Sequence, residues 1–358
     1  MKIKKQLAHS LSRTEWEAVC AEWGTQKFRA AQIWQGLHCA LAESWDEVKG
    51  LPAELRSKLD AAFALDALEV VETTGGAVKK FLLKCRDGNC VESVLIPSNG
   101  RNTLCVSSQA GCAFGCVFCA SGAKGLARDL ETGEIVAQAV VASRVLRGCF
   151  TEDKTDRNVR SPLGRPENIV VMGMGEPFAN YEAVFKALRI LNDAEGLNIG
   201  ARRITVSTCG VVPGIERMAD EGLQIELSVS LHAPDDELRT RLMPVNKRWP
   251  LAALIPACRA YVEKTGRIIT FEYTLVAGLN DSPRHARALV NLLRGMKCRV
   301  NLIPLSPVAE FAGEAPAERV CGAFLQTLER AGLNATLRRS RGGGADAACG
   351  QLRLGRMA

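Results

Sequence analysis

The chain has 358 residues, is 47% hydrophobic and 24% charged, and carries a formal net charge of +7. That composition excludes a disordered chain and, at this length, predicts one large domain with a smaller one attached. The excess of Lys and Arg permits a polyanionic partner without requiring one. No unbroken apolar stretch of about 18 residues occurs, so no membrane span is expected. The basic start, Met1–Lys5, is followed by polar sequence and not by a signal-length apolar run. A cytoplasmic protein is expected, and there fourteen cysteines are not a disulfide framework. Most are expected to be buried as small hydrophobes.

Residues 1–65 read as a helical domain. In "KFRAAQIWQGLHCAL", Ile33, Trp34, Leu37 and Leu41 share one helical face, which predicts a helix over 27–41. "LPAELRSKLDAAF" predicts a second, with Pro52 near its first turn. Lys27, Arg29, Arg56 and Lys58 could meet a polyanion or form a solvated face. Residues 66–101 hold two β-like runs flanking Asp87-Gly88, a strong hairpin signal, with Glu92 on the second.

From 102 to 341 strand-like and helix-like stretches alternate. "TLCVSS", "NIVVMG", "RITVST", "IELSVSL", "ITFEYTLV", "VNLIPL" and "ATLRRS" are strand-like, and helical segments such as "TGEIVAQAVVASRVL" and "SPRHARALVNLLRG" separate the core ones. The latter begins with Ser282 as N-cap and Pro283 in the first turn. Repeated βα units with apolar strands argue a parallel sheet, here an open, partial (β/α)6 barrel in an α/β protein. The stretch 148–167 reads as a polar loop. The segment 342–358 reads as a flexible tail, with Gly342 to Gly344 ahead of Cys349 and Arg353 and Arg356 beyond it.

Polar clusters fall just past the strand ends: "MGEP", Ser207-Thr208, Ser230-Leu231-His232 and Ser306-Pro307. In β/α barrels that end is the working face. A fifth cluster follows "TLCVSS". It is "GCAFGCVFCASG", with Cys112, Cys116 and Cys119 spaced C-x3-C-x2-C. Structural zinc usually takes four ligands in paired knuckles, and no histidine lies near these cysteines in sequence. A four-iron cluster held by three thiolates keeps one iron open to an amine and a carboxylate. Zinc and three buried thiols stay open as alternatives.

The C-x3-C-x2-C spacing resembles the radical SAM superfamily, with Phe118 at its usual aromatic position. "LCVSSQAGCAFGCVFC", "VVMGMGEPFANYEAV", "RRITVSTCGVVPGI", "SVSLHAPDDELRTRLMPVNKRWPL", "VNLIP" and "DAACGQL" together resemble the RlmN/Cfr family of RNA methyltransferases. The match covers nearly the whole chain.

The resemblance implies a [4Fe-4S] cluster on Cys112, Cys116 and Cys119, and S-adenosylmethionine (SAM) consumed twice per turnover. It implies SAM contacts at Gly175, Glu176, Ser207, Ser230, Leu231 and His232. Ser306 stands where relatives often have Asn, and it can still donate and accept a hydrogen bond. Cys349 would receive a methyl group and pass it to C2 of an adenosine in 23S rRNA, with tRNA a further substrate of some members. Cys105 would resolve the covalent adduct through a disulfide with Cys349, and Glu92 would accept a proton. An electron donor such as flavodoxin or ferredoxin and a monomeric enzyme are expected. The rival readings are Cfr-type C8 methylation, a radical SAM enzyme acting on a small molecule or protein, and a non-catalytic zinc-containing RNA-binding protein.

Overall fold

Runs rich in Val and Ile that alternate with helices satisfy their backbone by pairing in parallel beneath a helical layer. The computed structural model, which describes residues 5–74, 76–98, 100–148, 164–309 and 311–338, has that arrangement. Cys349 and the loop 149–163 lie outside the described residues.

The chain begins with β1 (Gln6–Leu7), α1 (Arg13–Glu22), α2 (Phe28–Gln35) and α3 (Ala53–Ala62), and β2 (Phe63–Ala64) then pairs in parallel with β1. A capping box between Ser12 and Glu15 starts α1. Trp16, Ile33, Trp34, Leu37 and Leu59 form the buried centre of this region. The helix expected over 27–41 ends at Gln35 and continues as a wider π-helical turn, Gly36–Ala40. Here the neighbouring segment packs against the backbone: a Cβ on Gly36 would lie 2.6 Å from Val48.

The expected hairpin is present as β4 (Lys79–Cys85) and β5 (Cys90–Ser98), and a further strand, β3 (Leu68–Thr74), precedes it. β3 is a mostly exposed edge strand with few apolar residues, so it lacked the signal that marked its neighbours. The three antiparallel strands join the barrel sheet directly, because β5 pairs with β6 (Arg101–Cys105).

The remaining elements follow in order. They are the hairpin β7 (Gln109–Gly111) and β8 (Leu126–Asp129) with α4 (Ala120–Ala123) between them, then α5 (Thr132–Leu146), β9 (Asn168–Val171), α6 (Tyr181–Asn192), β10 (Ile204–Thr208), α7 (Val212–Met218), β11 (Glu226–Ser230), α8 (Asp236–Leu242), α9 (Leu251–Thr265), β12 (Ile269–Leu275), α10 (Pro283–Leu293), β13 (Cys298–Pro304), α11 (Glu318–Arg330) and β14 (Asn334–Leu337). The large sheet runs β14-β13-β12-β11-β10-β9-β6-β5-β4-β3, parallel from β14 to β6. β6 and β14 do not pair, so the barrel is open. Its six principal parallel strands are those expected, and β14 adds a short seventh at the edge.

Strand alternation divides the sheet into two faces. Ile169, Val171, Ile204, Val206, Leu227, Val229, Phe271 and Tyr273 make one face apolar and buried. The other carries Cys105, Thr205, Ser207, Ser228, Ser230, Glu272 and Asn301, aligned by register: Ser207 opposite Ser228, and Ser230, Glu272 and Asn301 in one row. The polar residues named from the sequence therefore reach one surface. α5 is almost wholly buried because the N-terminal region covers it: Arg144 donates to the carbonyls of Leu41 and Ala42, and Ser10 Oγ accepts from the Gly133 N–H.

Candidate active site

The three motif cysteines lie on the loop between β7 and α4. Gly111 enters it at φ +84°, and a Cβ there would stand 2.0 Å from the Gly125 carbonyl oxygen, so only glycine lets β7 and β8 close this tightly. The Cys112 N–H donates to Gly125 O (3.0 Å), the Cys119 N–H to Cys116 O (3.1 Å), and the Val117 N–H to Leu242 O (3.0 Å) on α8. The Phe118 ring meets His232 edge-on at 4.8 Å between centroids, tying the loop to the end of β11.

Burial pushes the Cys112 thiol up to about 12, with the neighbouring Cys119 and Glu176 charges adding to it. Cys116 is raised further, by burial first and then by Cys119, Cys112 and Glu176. These sulfurs oppose one another's ionisation, and a cationic group bound among them reverses that sign. An iron–sulfur cube takes each thiolate on a separate iron, and Cys112, Cys116 and Cys119 offer three thiols from one short loop. The donor set therefore fits the cube.

The "MGEP" segment is laced to the chain entering that loop. Met174 O accepts from the N–H groups of Ser108 (2.8 Å) and Gln109 (3.1 Å), and Gln109 Oε1 accepts from the Glu176 N–H (2.8 Å). Gly175 has φ +101°, and a Cβ would lie 2.5 Å from that of Gln109. The Glu176 carboxylate is buried, and it accepts from the N–H groups of Phe178 (3.0 Å) and Cys209 (2.7 Å). Burial raises its pKa, and these backbone donors offset part of the rise. The Thr208 and Cys209 side chains also donate to the carboxylate and offset the rise further.

His232 sits at φ +55°, an uncommon conformation for a non-glycine residue. Its Nδ1 accepts from the Thr274 N–H (2.8 Å), and burial holds the ring neutral, with a pKa near 3. The histidine is therefore fixed as an uncharged ring with Nε2 as its hydrogen-bearing edge. Leu231 is buried at the same strand end, and its N–H donates to Glu272 O (3.0 Å). Ser207, Ser230 and Ser306 are half-buried. Ser306 follows β13, at the same end of the sheet.

Glu92 is not the solvated strand carboxylate its setting allowed: it is buried and pairs with Lys80 (3.2 Å). Register places it two positions from Val94, which lies opposite Cys105, so Glu92 and Cys105 share one sheet face. Gln138 on α5 holds the strands around them: its Oε1 accepts from Ser93 Oγ (2.5 Å) and the Ser107 N–H (2.8 Å). The Ser107 hydroxyl in turn donates to Glu92 O (2.6 Å).

Sequence reasoning missed Gln109, Gln138, Glu272 and Arg239. Gln138 had a faint signal as a polar residue inside the apolar run "EIVAQAVVA". Glu272 is buried on the polar sheet face, and Asn301 Nδ2 donates to it (3.0 Å). Arg239 lies in a run of charges that reads as a wet helix face. Of the N-terminal cations, Lys27 pairs with Glu17 (3.2 Å), Arg56 with Asp46 (3.5 Å) and Lys58 with Glu54 (3.4 Å), while Arg29 donates to Gln32 and to Gly50 O. No helix among the described residues is long and apolar enough to cross a membrane.

Known proteins share this architecture. The radical SAM superfamily matches residues 106–290, and the "Ribosomal RNA large subunit methyltransferase N-terminal domain" matches 9–65. A "Probable dual-specificity RNA methyltransferase RlmN" of Geobacillus thermodenitrificans is 46% identical, covering 96% of this chain and 92% of that protein. One of the same name from Staphylococcus aureus is 45% identical over 98% and 93%. The crystal structure of a radical SAM methyltransferase from Sphaerobacter thermophilus superposes with a TM-score of 0.91 at 45% identity, covering 97% of this chain and 99% of that one.

Proposed function

This chain belongs to the RlmN family of the radical SAM superfamily, and on that premise we propose that it methylates C2 of an adenosine in 23S rRNA, and in tRNA, through Cys349. The observation that carries the reading is the shared sheet face of Cys105 and Glu92, at the strand ends where the cysteine loop and the Gly175-Glu176 segment meet. C2 of adenine is electron-poor and cannot attack a sulfonium methyl, so a thiol must carry the methyl group first.

Cys112, Cys116 and Cys119 hold the cluster. Gly175, Glu176, Ser207, Ser230, Leu231, His232 and Ser306 surround SAM, with the Glu176 carboxylate accepting from its ammonium. The Cys349 thiolate takes the methyl of a first SAM, breaking the sulfonium–methyl bond. When bound, the cluster would supply, with a second SAM, the one-electron chemistry for removing a hydrogen atom from the S-methyl group, and would be the acceptor for the electron released once carbon bonds to C2. Glu92 accepts the C2 proton. The Cys105 thiolate attacks the Cys349 sulfur, the carbon–sulfur bond breaks towards carbon, and that carbon gains a proton. The products are the methylated base and a Cys105–Cys349 disulfide.

Glu92, buried beside Lys80, is protected from bulk water until the substrate base arrives. That base must leave its stack to reach the barrel. An electron donor of the flavodoxin or ferredoxin class, a monomeric enzyme and a cytoplasmic setting complete the proposal.

Intact-mass and peptide analysis of anaerobically purified protein tests it. The expected result is one extra methyl on Cys349, absent when Cys112 is replaced by Ala, with a covalent protein–RNA adduct trapped by Cys105→Ala. Unmodified Cys349 in wild-type protein would sink the reading, and C8-methyladenosine as the product would sink its regiochemistry.

A further inference from the structure

Arg239 is fully buried on α8. Its guanidinium donates to the carbonyls of Cys209 (2.7 Å), Ser230 (3.2 Å), Leu231 (3.3 Å) and Trp249 (3.4 Å), and to Asn246 Oδ1 (2.7 Å). Every one of these acceptors is neutral. Among the described residues no carboxylate hydrogen-bonds to it, although the Asp236 charge acts on it from a distance. Asp236, on the same helix, is held by Asn246 Nδ2 (2.9 Å) and the Leu251 N–H (2.8 Å). Glu176 reaches it only across Cys209, whose N–H meets the carboxylate while its carbonyl meets the guanidinium.

A buried cation with neutral acceptors alone is costly unless an anion completes the site. α8 points to that anion. Leu242 O accepts from the Val117 N–H inside the cysteine loop, and Arg239 lies within electrostatic reach of Cys209, then Cys116, then Asp236. Three thiolates around an iron–sulfur cube leave that site net negative, and more so once it is reduced. The same guanidinium spans the ends of β10 and β11, which carry Ser207, Ser230 and Leu231.

We infer that Arg239 is the internal countercharge of the cysteine-bound cluster and, through the carbonyls it gathers, the positioning residue for the SAM-facing ends of β10 and β11. The inference rests on the reading of Cys112, Cys116 and Cys119 as cluster ligands. A fixed positive charge in a desolvated site favours the reduced cluster, since reduction adds negative charge beside it. Its planar fork fixes several carbonyls at once, which a lysine cannot do.

The two roles separate by substitution in the anaerobically prepared holoprotein. Arg239→Gln removes the charge, and the cluster's reduction equilibrium should fall by about tenfold, a 59 mV shift to more negative midpoint potential for a one-electron couple. Arg239→Lys keeps the charge and loses the fork, so the potential should stay near wild type while SAM binds about tenfold more weakly. Midpoint potentials come from EPR-monitored titration, and SAM affinity from equilibrium binding.

An unshifted potential in iron-loaded Arg239→Gln overturns the proposal, as does Arg239→Lys shifting the potential as far as Arg239→Gln. If Arg239→Gln melts like wild type yet takes up no iron while Arg239→Lys does, the charge is needed for cluster binding and the proposal stands. If both variants unfold, Arg239 is a structural clamp only and the proposal fails. Wild-type protein without iron–sulfur absorbance would instead overturn the cluster reading on which the inference depends.

Discussion

The N-terminal region and the barrel rim both bury ionisable side chains, in opposite states. His9 and His38 meet edge to face in the N-terminal core with ring centroids 5.3 Å apart, and burial drives both towards the neutral form. The rim buries Glu92 with Lys80, Glu176 on two backbone N–H groups, and Arg239 on five acceptors. A group that can shed its charge needs no partner beyond packing, whereas a charged one requires a constructed environment. Constructed charge is concentrated at the rim, where neutral His232, held by the Thr274 N–H, is the exception, and the N-terminal pair is neutralised by burial alone.

The largest effect should come from breaking that rule at the rim. Glu92→Gln keeps shape and removes the proton acceptor, and single-turnover RNA methylation should fall by about 10²–10⁴ with iron content and SAM affinity unchanged. Retained turnover would put Glu92 among purely structural ion pairs.

In the N-terminal region the corresponding effect is on stability. The folded pKa of His9 is lowered to about 4 from 6.5, so its contribution is complete above 6.5 and is lost as pH falls towards 4. The loss amounts to about 3 kcal/mol, from 1.36 kcal/mol per pKa unit. Urea titrations over that range should show the decline, and His9→Gln should make it shallower by about that amount, with buried His38 and His232 keeping the rest. A flat wild-type profile would mean that His9 is protonated while buried.

Glu176→Gln tests the rim more gently. One oxygen becomes an amide that faces a backbone donor, and a charge-assisted hydrogen bond worth about 1.5–3 kcal/mol is lost. Calorimetric SAM binding should weaken by about tenfold to a hundredfold. Unchanged affinity would remove Glu176 from the SAM site.

Both regions were partly legible in the sequence, for different reasons. The strands from "TLCVSS" to "ATLRRS" were visible because parallel strands buried on one side are dense in β-branched residues. Cys112, Cys116 and Cys119 were visible because their ligand spacing is local. Gln138 and Arg239 were hidden because what they hold is distant in sequence: Ser93 lies 45 residues from Gln138, and Cys209 lies 30 from Arg239. α8 exposes Asp236, Glu237 and Arg241 and buries Arg239, and nothing in its local sequence separates them. The π-helical turn at Gly36–Ala40 was hidden likewise, since it accompanies the approach of Val48.

The smallest expected effect concerns where RNA is held. Lys27, Arg56 and Lys58 read in the sequence as a polyanion contact or a solvated face; each faces an acid, and the Lys27 and Lys58 pairs are solvent-exposed. Exposed pairs of this kind contribute little to stability. A cation already facing a carboxylate must also give up that partner before it can neutralise a phosphate. The double variant Lys27→Ala, Lys58→Ala should therefore leave both the melting midpoint and the salt dependence of RNA binding unchanged. Removing one cation that does neutralise a phosphate would lower the salt slope by about 1. A drop of about 2 in this variant would move the RNA surface onto the N-terminal helices. No drop would leave phosphate binding to cations elsewhere in the chain, Arg353 and Arg356 beside Cys349 being the next to replace.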